Sequence, residues 1–422
     1  MKETIEKLLN QCGLGSLTGD IAPVSGGLMH RMYKVRTEQG TFAVKHLNPG
    51  IMKRPQARDN YKTAEALEAV LEANGLPIVP AMTFAGRKMQ ELDGNCFYIY
   101  RWQQGSITDW DNISEEQCRK AGEILGRIHA IDSKPAEAEE PELFEADFAE
   151  YASLAKERKS PVAELLSDNP GLLRSATEKL NEARRNRPAI QSICDDDMDP
   201  KNVMWFEGNP YVIDLECLSY GNPVSSCLDL SLQWAGIVNG KYRKDCLIAF
   251  HEGYRSAFDN GFRDYDKLFG ISYTWLEWLE YNVRRALGLE GTGEEALGES
   301  EVRNTIGRIR YLCDLEEEIC ETFRSLSGRE ECSETERITA KAIARVRAME
   351  ELFDRTLELV KKEKRSAREE KELETTVSKL KEYYESPQWR EDFEADEAGK
   401  FPKDLKRGVL SEDGIYNLLE EL

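Results

Sequence analysis

A change of hydrophobic periodicity near Gly105 restricts the architectures open to this chain of 422 residues. Before this point, short segments alternate apolar and polar side chains, which is typical of β-strands, and one helical stretch interrupts them. After it, apolar residues recur at helical spacing, apart from a short β-like island within residues 192–215. This order predicts an α+β fold with a β-rich lobe of residues 1–104 and a helical lobe of residues 105–334.

The first lobe contains a helical stretch among its alternating segments. Apolar residues on one stripe predict a helix over residues 59–74, which ends at Gly75 and is followed by Pro77. A further helix is predicted over residues 1–12, and Tyr100–Gly105 is expected to form the hinge between the lobes. The alternating segments predict strands at residues 32–37, 41–47, 78–84, 88–91 and 96–102.

The second lobe and the tail differ in composition. Ser114 and Gln117 have the spacing of a capping box, which predicts the start of a long helix at this point. Residues 335–386 are strongly helical and highly charged, and Pro387 is expected to end that stretch. Aromatic, glycine and proline residues beyond it favour a small folded unit, so residues 335–422 are predicted to form a separate helical domain.

Composition excludes several classes of function. The formal net charge of −21 disfavours nucleic acids and anionic membranes as partners and weakly favours a cationic substrate. No apolar stretch reaches the ~18 residues of a membrane span, and the amino-terminal sequence lacks the regions of a secretion signal. The ten cysteines are scattered without the spacing of a zinc site. We therefore expect a cytoplasmic protein without a structural metal.

Candidate catalytic residues cluster around the β-like island. Asp197 and Asn202 have the spacing D-x-x-x-x-N on one tight loop, and Asp214 follows at the end of the next predicted hairpin. Transfer of a phosphoryl group to an alcohol needs a carboxylate that accepts the hydroxyl proton and oxygen ligands that hold Mg²⁺ against the phosphates. These three residues provide such groups, although D-x-x-x-x-N alone also occurs by chance.

Lys45 is the candidate that would hold the phosphates from the other lobe. It lies in a predicted strand that follows Ser25-Gly26-Gly27, a weak signal for a phosphate-binding turn. Such a lysine is usually held by a carboxylate on the following helix. Glu65 and Glu68 are the candidates, and Glu65 is preferred. A solvated lysine on an edge strand is the alternative reading.

These segments resemble the aminoglycoside phosphotransferase and choline kinase-like family of small-molecule kinases. The resemblance covers about residues 15–325 and is most specific in the stretch DDDMDPKNVMW. The other matching stretches are SGGLMHRMYKV, TFAVKHL, NGLPIVP, FYIYRWQQG, AGEILGRIHAID and VIDLECLSYGNPVSSCLDLSLQWAG. It implies a two-lobed protein-kinase-like fold and the use of Mg²⁺ with ATP or GTP.

The resemblance also implies individual roles. Asp197 would be the catalytic base, Asn202 and Asp214 would bind Mg²⁺, and Lys45 would contact the phosphates. The backbone from Tyr100 to Trp102 would hydrogen-bond the purine. One position departs from the family pattern, because Asp195 stands where the family usually has a histidine. That change places four carboxylates within five residues, and such a cluster repels itself without a cation.

The substrate and the tail are less constrained. The acceptor would be a hydroxyl on a small molecule, such as an aminoglycoside, an amino alcohol or a sugar. The tail resembles a small bacterial domain of unknown function, and it offers a surface for a protein partner but no chemistry. Candidate pocket residues, each of which is equally explained as helix core or solvated face, are Tyr220, Trp234, Trp275, Trp278, Glu280 and Tyr281.

Other functions compete with a small-molecule kinase. A protein kinase is disfavoured because Asp214 is followed within fifteen residues by the helix at Asp229, which leaves little room for a peptide-binding segment. A nucleotide-binding pseudokinase that acts through its tail is the main alternative, favoured by Asp195 and by the weak glycine turn. A purely structural interaction protein would leave the placement of Lys45 and the catalytic loop unexplained.

Overall fold

The computed structural model describes residues 1–24, 30–133, 135, 141–291, 293–327, 334–362, 364–402 and 405–411, together with residues 415 and 418. The chain divides into two compact units, Met1–Gly328 and Arg329–Leu422. The predicted glycine turn, Ser25-Gly26-Gly27, lies outside the described residues. No helix in the described parts of the chain is long and apolar enough to cross a membrane.

The first lobe is built on a five-stranded antiparallel sheet in the order β1-β2-β3-β5-β4. One face of the sheet packs against α1 through Ile5, Leu8 and Phe42. The other face packs against α3 through Tyr61 and neighbouring apolar residues. The elements of this lobe are α1 (Lys2–Gln11), β1 (Ala22–Val24), β2 (Arg31–Thr37), β3 (Gly40–His46), α2 (Pro49–Met52), α3 (Ala57–Ala73), β4 (Gln90–Leu92) and β5 (Asn95–Arg101).

One predicted strand of this lobe is wrong. Residues 78–84 form only isolated bridges, from Ile78 to Val212 and from Phe84 to Arg87. Pro80 lies in the middle of the segment and has no amide hydrogen to donate to a sheet, which explains the interruption. The bridge at Ile78 instead attaches this segment to the hairpin that follows residues 196–202, the catalytic loop of the sequence prediction.

The second lobe is helical around two small antiparallel sheets, of order β10-β7 and β6-β8-β9. The predicted capping box is confirmed, because Ser114 and Gln117 exchange hydrogen bonds at the start of α4. The elements are β6 (Ser106–Ile107), α4 (Glu115–His129), α5 (Phe148–Glu157), α6 (Val162–Ser167), α7 (Pro170–Asn186), β7 (Ser192–Asp195), β8 (Val203–Phe206), β9 (Asn209–Val212), β10 (Leu218–Gly221), α8 (Pro223–Trp234), α9 (Lys244–Ala257), α10 (Trp275–Ala286) and α11 (Glu295–Leu326).

Helices α4 and α9 cross at very close range, and glycines make this approach possible. A Cβ atom at Gly122 would collide with the backbone carbonyl of Phe250, and one at Gly253 would collide with that of Arg119. The two helices join the apolar core of the lobe, which also surrounds β7 and β8. The catalytic loop therefore begins from a rigidly packed strand. The predicted fold class is confirmed.

The second unit contains α12 (Glu334–Val360), α13 (Ala367–Tyr384) and α14 (Pro387–Glu397) around its own apolar cluster. Pro387 is the first residue of α14, and Ser386 caps this helix with its side chain. The buried carboxylate of Asp392 accepts hydrogen bonds from Arg345 Nε at 2.7 Å and from Tyr383 Oη at 2.8 Å. These contacts tie α12, α13 and α14 together within the unit.

Candidate active site

The loop that carries Asp197 is braced from beneath by buried groups. The backbone amide of Met198 donates to the carbonyl of Asp195 at 3.1 Å. The indole nitrogen of Trp234 donates to the carbonyl of Met198 at 3.0 Å. Because Trp234 and Met198 are both fully buried, the turn after β7 is fixed to the core of the helical lobe.

Asn202 lies at the other end of this loop and connects it to the hairpin β8–β9. Its side-chain amide nitrogen donates to the carbonyl of Asp197 at 2.8 Å. Its own carbonyl accepts from the amide of Ile213 at 2.9 Å. This second bond places Asn202 beside the residue that precedes Asp214, as the spacing in the sequence predicted for a shared site.

Asp214 follows β9 and has a left-handed backbone conformation, with φ of 63° and ψ of 54°. Aspartate tolerates this conformation better than most residues do. A short 3₁₀ turn, Leu215–Cys217, comes directly after it. The turn brings Asp214 and Glu216 to the same lysine, Lys45, so both carboxylates face the first lobe at this point.

The carboxylate of Asp197 is held by a neighbouring lysine. Burial raises the pKa of Asp197, whereas the nearby charge of Lys201 lowers it, and the net shift is upward. Lys201 Nζ lies 3.1 Å from Asp197 Oδ1 and 2.5 Å from Asp199 Oδ2. Burial likewise raises the pKa of Asp199, to about 6. Lys201 therefore favours the ionised form that a base requires, and sequence reasoning assigned it no role.

Asp195, the residue at the family's usual histidine position, is completely buried. Both of its carboxyl oxygens lack a hydrogen-bond partner among the described residues. Burial, reinforced by the charges of Asp197, Asp196 and Asp214, raises its pKa well above the usual value. Burial therefore favours the uncharged form of this side chain, which carries less repulsion than the position of Asp195 in the sequence suggested.

Lys45 extends from β3 to the helical lobe, where it meets two carboxylates. Its Nζ atom lies 2.6 Å from Asp214 Oδ1 and 2.8 Å from Glu216 Oε1. Burial alone would lower the pKa of Lys45, but the two carboxylates outweigh this effect and the pKa is raised. The lysine is therefore charged, sheltered from water and aimed at the predicted metal ligand Asp214.

The predicted pairing of Lys45 with Glu65 is wrong for this structure. Tyr98 lies directly opposite Lys45 in the β3–β5 pair, and its hydroxyl donates to Glu65 Oε1 at 2.7 Å. The same oxygen accepts from the amide of Met89 at 3.1 Å. Glu65 is thus already engaged by the sheet, and its predicted part in nucleotide binding stays a prediction.

Glu68, the other candidate for this pairing, is also engaged elsewhere. Its Oε1 atom accepts from Lys88 Nζ at 2.9 Å and from the amide of Ala81 at 2.6 Å. The partner that replaces both glutamates is Glu216, two residues beyond Asp214. The signal for it in the sequence was a second acidic residue in the motif D-x-E.

At the hinge, one backbone group that was predicted to bind the purine is already bonded within the sheet. The amide of Trp102 donates to the carbonyl of Thr41 at 3.0 Å, so the sheet already uses this donor. Tyr100 is paired with Ala43 in the same ladder. Since backbone groups alternate along a strand, those of Arg101 and Gln103 point away from β3. Arg101 and Gln103, rather than Trp102, therefore present backbone groups that the pairing with β3 does not use, and the predicted purine contact stays a prediction.

Two cavities lie in the helical lobe, and Asp196 of the loop borders one of them. The larger, about 1070 Å³, is bordered by Asp196, Tyr220 and Asp229. The smaller, about 780 Å³, is bordered by many acidic residues, Glu280 among them. Arg184 borders both cavities, and it is paired with Glu277 at 2.5 Å. The walls of the smaller cavity therefore carry a strong excess of carboxylates, whereas three arginines nearly balance the four acidic residues of the larger cavity.

The candidate pocket residues are placed differently from one another. Tyr220 and Glu280 border these cavities, whereas Trp234 is a core residue, the alternative interpretation that the sequence left open. The remaining aromatic candidates border neither cavity and make local contacts. These contacts are the ring of Trp275 with Arg308, the indole nitrogen of Trp278 with Glu301, and the stacking of Trp278 on Tyr281.

The loop and hairpin offer oxygen ligands that fit a hard cation. Within the described residues, no group of three or more His, Cys, Asp or Glu side chains is arranged to hold a metal ion by itself. A kinase metal centre does not need one, because nucleotide phosphates complete it. The amide nitrogen of Asn202 is committed to Asp197, which leaves its oxygen for a ligand. That oxygen and the carboxylate of Asp214 suit Mg²⁺.

Comparison with known proteins agrees with this fold. No curated protein matches the sequence. The fold is similar to that of spectinomycin phosphotransferase APH(9)-Ia in complex with ADP and spectinomycin, with a TM-score of 0.54 and 13% identity over 74% of this chain and 98% of that chain. It is also similar to choline kinase from Cryptosporidium parvum Iowa II, with a TM-score of 0.50 and 11% identity over 78% of this chain and 99% of that chain.

Two family profiles match separate parts of the sequence. One describes a domain of unknown function, DUF4298, and matches residues 346–422 in the second unit. The other describes a phosphotransferase enzyme family and matches residues 20–257, which include Lys45, the catalytic loop and Asp214. Because this match covers more than half of the chain, the protein belongs to the phosphotransferase enzyme family.

Proposed function

We propose that this protein transfers the γ-phosphate of ATP or GTP to a hydroxyl group of a small molecule. Asp197 acts as the base, Asn202 and Asp214 hold Mg²⁺, and Lys45 binds the phosphates. Family membership supports a small-molecule phosphotransferase. The observation that carries these roles is the convergence of Lys45 and Asp214, 169 positions apart in the sequence, at 2.6 Å.

The proposed reaction needs little covalent participation by the protein. The acceptor hydroxyl donates its proton to Asp197 as its oxygen attacks the γ-phosphorus, and the bond between that phosphorus and the leaving diphosphate oxygen breaks. Lys45 neutralises charge on the phosphates from the side of the first lobe. Mg²⁺, when bound, supplies further neutralisation of the phosphate charge. Lys201 keeps Asp197 in the ionised form that can accept the proton.

The acceptor is proposed to enter through the cavities of the helical lobe. Asp196 borders the larger cavity and is the sequence neighbour of the proposed base, so a ligand there would be close to Asp197. The carboxylates around the smaller cavity favour an acceptor with a positive charge, such as an amino alcohol, an aminoglycoside or an amino sugar. This is a choice among hydroxylated small molecules and does not extend to nucleic acids or membranes.

The proposal is tested by a screen that couples nucleotide consumption to the presence of an acceptor. Purified full-length protein is incubated with Mg-ATP or Mg-GTP and a panel of amino alcohols, sugars, hydroxy amino acids and aminoglycosides. Turnover that requires one acceptor class, and that disappears in Asp197→Asn, supports the proposal. Nucleotide binding without turnover on any member of the panel contradicts it.

A nucleotide-binding pseudokinase is the second candidate, and one observation favours it. Asp195 replaces the family's usual histidine with a buried, unpaired acid beside the catalytic loop. In this case the second unit, residues 335–422, would present the surface for a protein partner. The same screen separates the two candidates, because a pseudokinase binds nucleotide and leaves every acceptor unchanged.

We further propose that the protein acts in the cytoplasm, where ATP is abundant.

A further inference from the structure

His30 immediately precedes β2, and both of its ring nitrogens have partners. Nδ1 accepts a hydrogen bond from the backbone amide of Asn48 at 3.0 Å, so the neutral ring carries its proton on Nε2. Nε2 lies 3.3 Å from Glu216 Oε2 and 3.3 Å from the hydroxyl oxygen of Tyr61. The Nε2–H group therefore bonds to the hydroxyl oxygen of Tyr61 and lies in close polar contact with Glu216.

Glu216 connects this histidine to Lys45. Its Oε1 atom lies 2.8 Å from Lys45 Nζ, while its other oxygen faces His30. The three side chains are only 5–12% exposed, which strengthens their electrostatic contacts relative to contacts in water. These close contacts with a cationic lysine on one side and a histidine on the other favour the orientation in which Glu216 meets the lysine.

This arrangement gives Lys45 a second anchor besides Asp214. In the proposed function Asp214 is a metal ligand, and a carboxylate that binds Mg²⁺ has less capacity to hold a lysine. Glu216 can keep the lysine aligned when Asp214 is engaged. We propose that His30 is a positioning residue for nucleotide binding, because it holds Glu216 and thereby keeps Lys45 in place for the phosphates. This inference rests on the proposed function.

His46 provides a matched control of the same residue type. It follows Lys45 directly on β3, so its side chain points to the opposite face of the strand. Its Nε2 atom lies 2.9 Å from Asn95 Oδ1, and its ring stacks on Phe97 with centroids 4.9 Å apart. His46 is thus a packed histidine in the same sheet that does not contact Glu216 or Lys45. A purely structural role of His30 would predict similar effects for both histidines.

The experiment measures binding of a non-hydrolysable ATP analogue, AMP-PNP, with Mg²⁺ to the full-length protein by calorimetry. His30→Ala should weaken binding about tenfold, because Glu216 loses a close polar contact that orients it toward Lys45. His30→Gln should recover most of the affinity, since its amide nitrogen can restore a polar contact with Glu216. His46→Ala should bind as the wild type does. Where the enzyme turns over, KM for the nucleotide should rise while KM for the acceptor stays unchanged.

Wild-type affinity in His30→Ala, or an equal loss in His46→Ala, would overturn the inference. If His30→Ala does not fold, Glu216→Gln tests the same link and should weaken binding to a similar extent; unchanged affinity there would also overturn it. The outcome is separable from that of the proposed function. A wild type that binds nucleotide but phosphorylates no acceptor refutes the kinase and leaves the binding test of His30 valid. A wild type that binds no nucleotide refutes both.

Discussion

Replacement of Asp229 by asparagine should stabilise the protein at alkaline pH and not at acidic pH. Asp229 lies on α8 beside the larger cavity, and its Oδ2 atom accepts from Gln233 Nε2 at 2.8 Å. Burial raises the pKa of Asp229 from 3.8 to about 7, with a smaller contribution from the charge of Asp196. The folded protein therefore holds on to a proton that the unfolded chain releases.

The sign and size of the effect follow from this shift. A carboxyl with a raised pKa in the folded state contributes most to stability below its unfolded pKa, and that contribution is lost as the pH rises toward 7. Between pH 5 and pH 8, the folded state loses the stability that corresponds to about two pKa units. At about 1.36 kcal/mol per unit, this loss is about 2.7 kcal/mol. Because Asp229 borders a cavity and solvent screens it in part, we expect a change of about 1–2 kcal/mol.

The assay is urea unfolding of the wild type and Asp229→Asn at pH 5, 6, 7 and 8. The difference in unfolding free energy between variant and wild type should increase over this range and level off near pH 7. Asparagine keeps an oxygen for the bond from Gln233, so lost packing does not account for the trend. A difference that stays constant with pH would refute the assignment of a raised pKa to Asp229.

Three further predictions concern the proposed machinery and the division of the chain. Asp197→Asn should lower kcat about 10²–10⁴-fold and leave nucleotide affinity in calorimetry nearly unchanged; retained turnover would exclude Asp197 as the base. Asp214→Ala should weaken nucleotide binding chiefly when Mg²⁺ is present, and equal losses with and without the metal would contradict ligation. Residues 1–330 should fold alone and melt at higher temperature with Mg-ATP, whereas an insoluble fragment would mean that the rest of the chain completes the fold.

The parts of the site that depend on short stretches of sequence were predictable. The spacing of Asp197 and Asn202 and the hairpin before Asp214 are local features, and the loop closes through bonds within this segment. The capping box at Ser114 and Gln117 is local in the same sense. The order of strands and helices was likewise sufficient to predict the two-lobed fold, because each lobe has one dominant periodicity.

The partner of Lys45 was not predictable, because strand register across the sheet decides it. Strand pairing places Tyr98 opposite Lys45, and the hydroxyl of Tyr98 donates a hydrogen bond to Glu65. No local pattern in the sequence reveals this contact. Composition likewise does not predict the left-handed conformation of Asp214 or the turn after it that brings Glu216 to the lysine. The amide of Trp102 was predicted to be free for the purine, and it is used within the sheet for a related reason. Backbone groups along a strand face its neighbour and the opposite side in alternation, and the strand register decides which residues face outward.

Burial changes the electrostatic consequence of an aspartate at the usual histidine position. Counted in the sequence, Asp195 adds a negative charge beside the proposed base. In the structure burial raises the pKa of Asp195 and so favours its uncharged form, while Lys201 pairs with Asp197 and Asp199. Burial also raises the pKa of Asp197, and the ion pair with Lys201 is the contact that opposes this rise. The ability of Asp197 to accept a proton therefore depends more on Lys201 than on the residue that replaced the histidine.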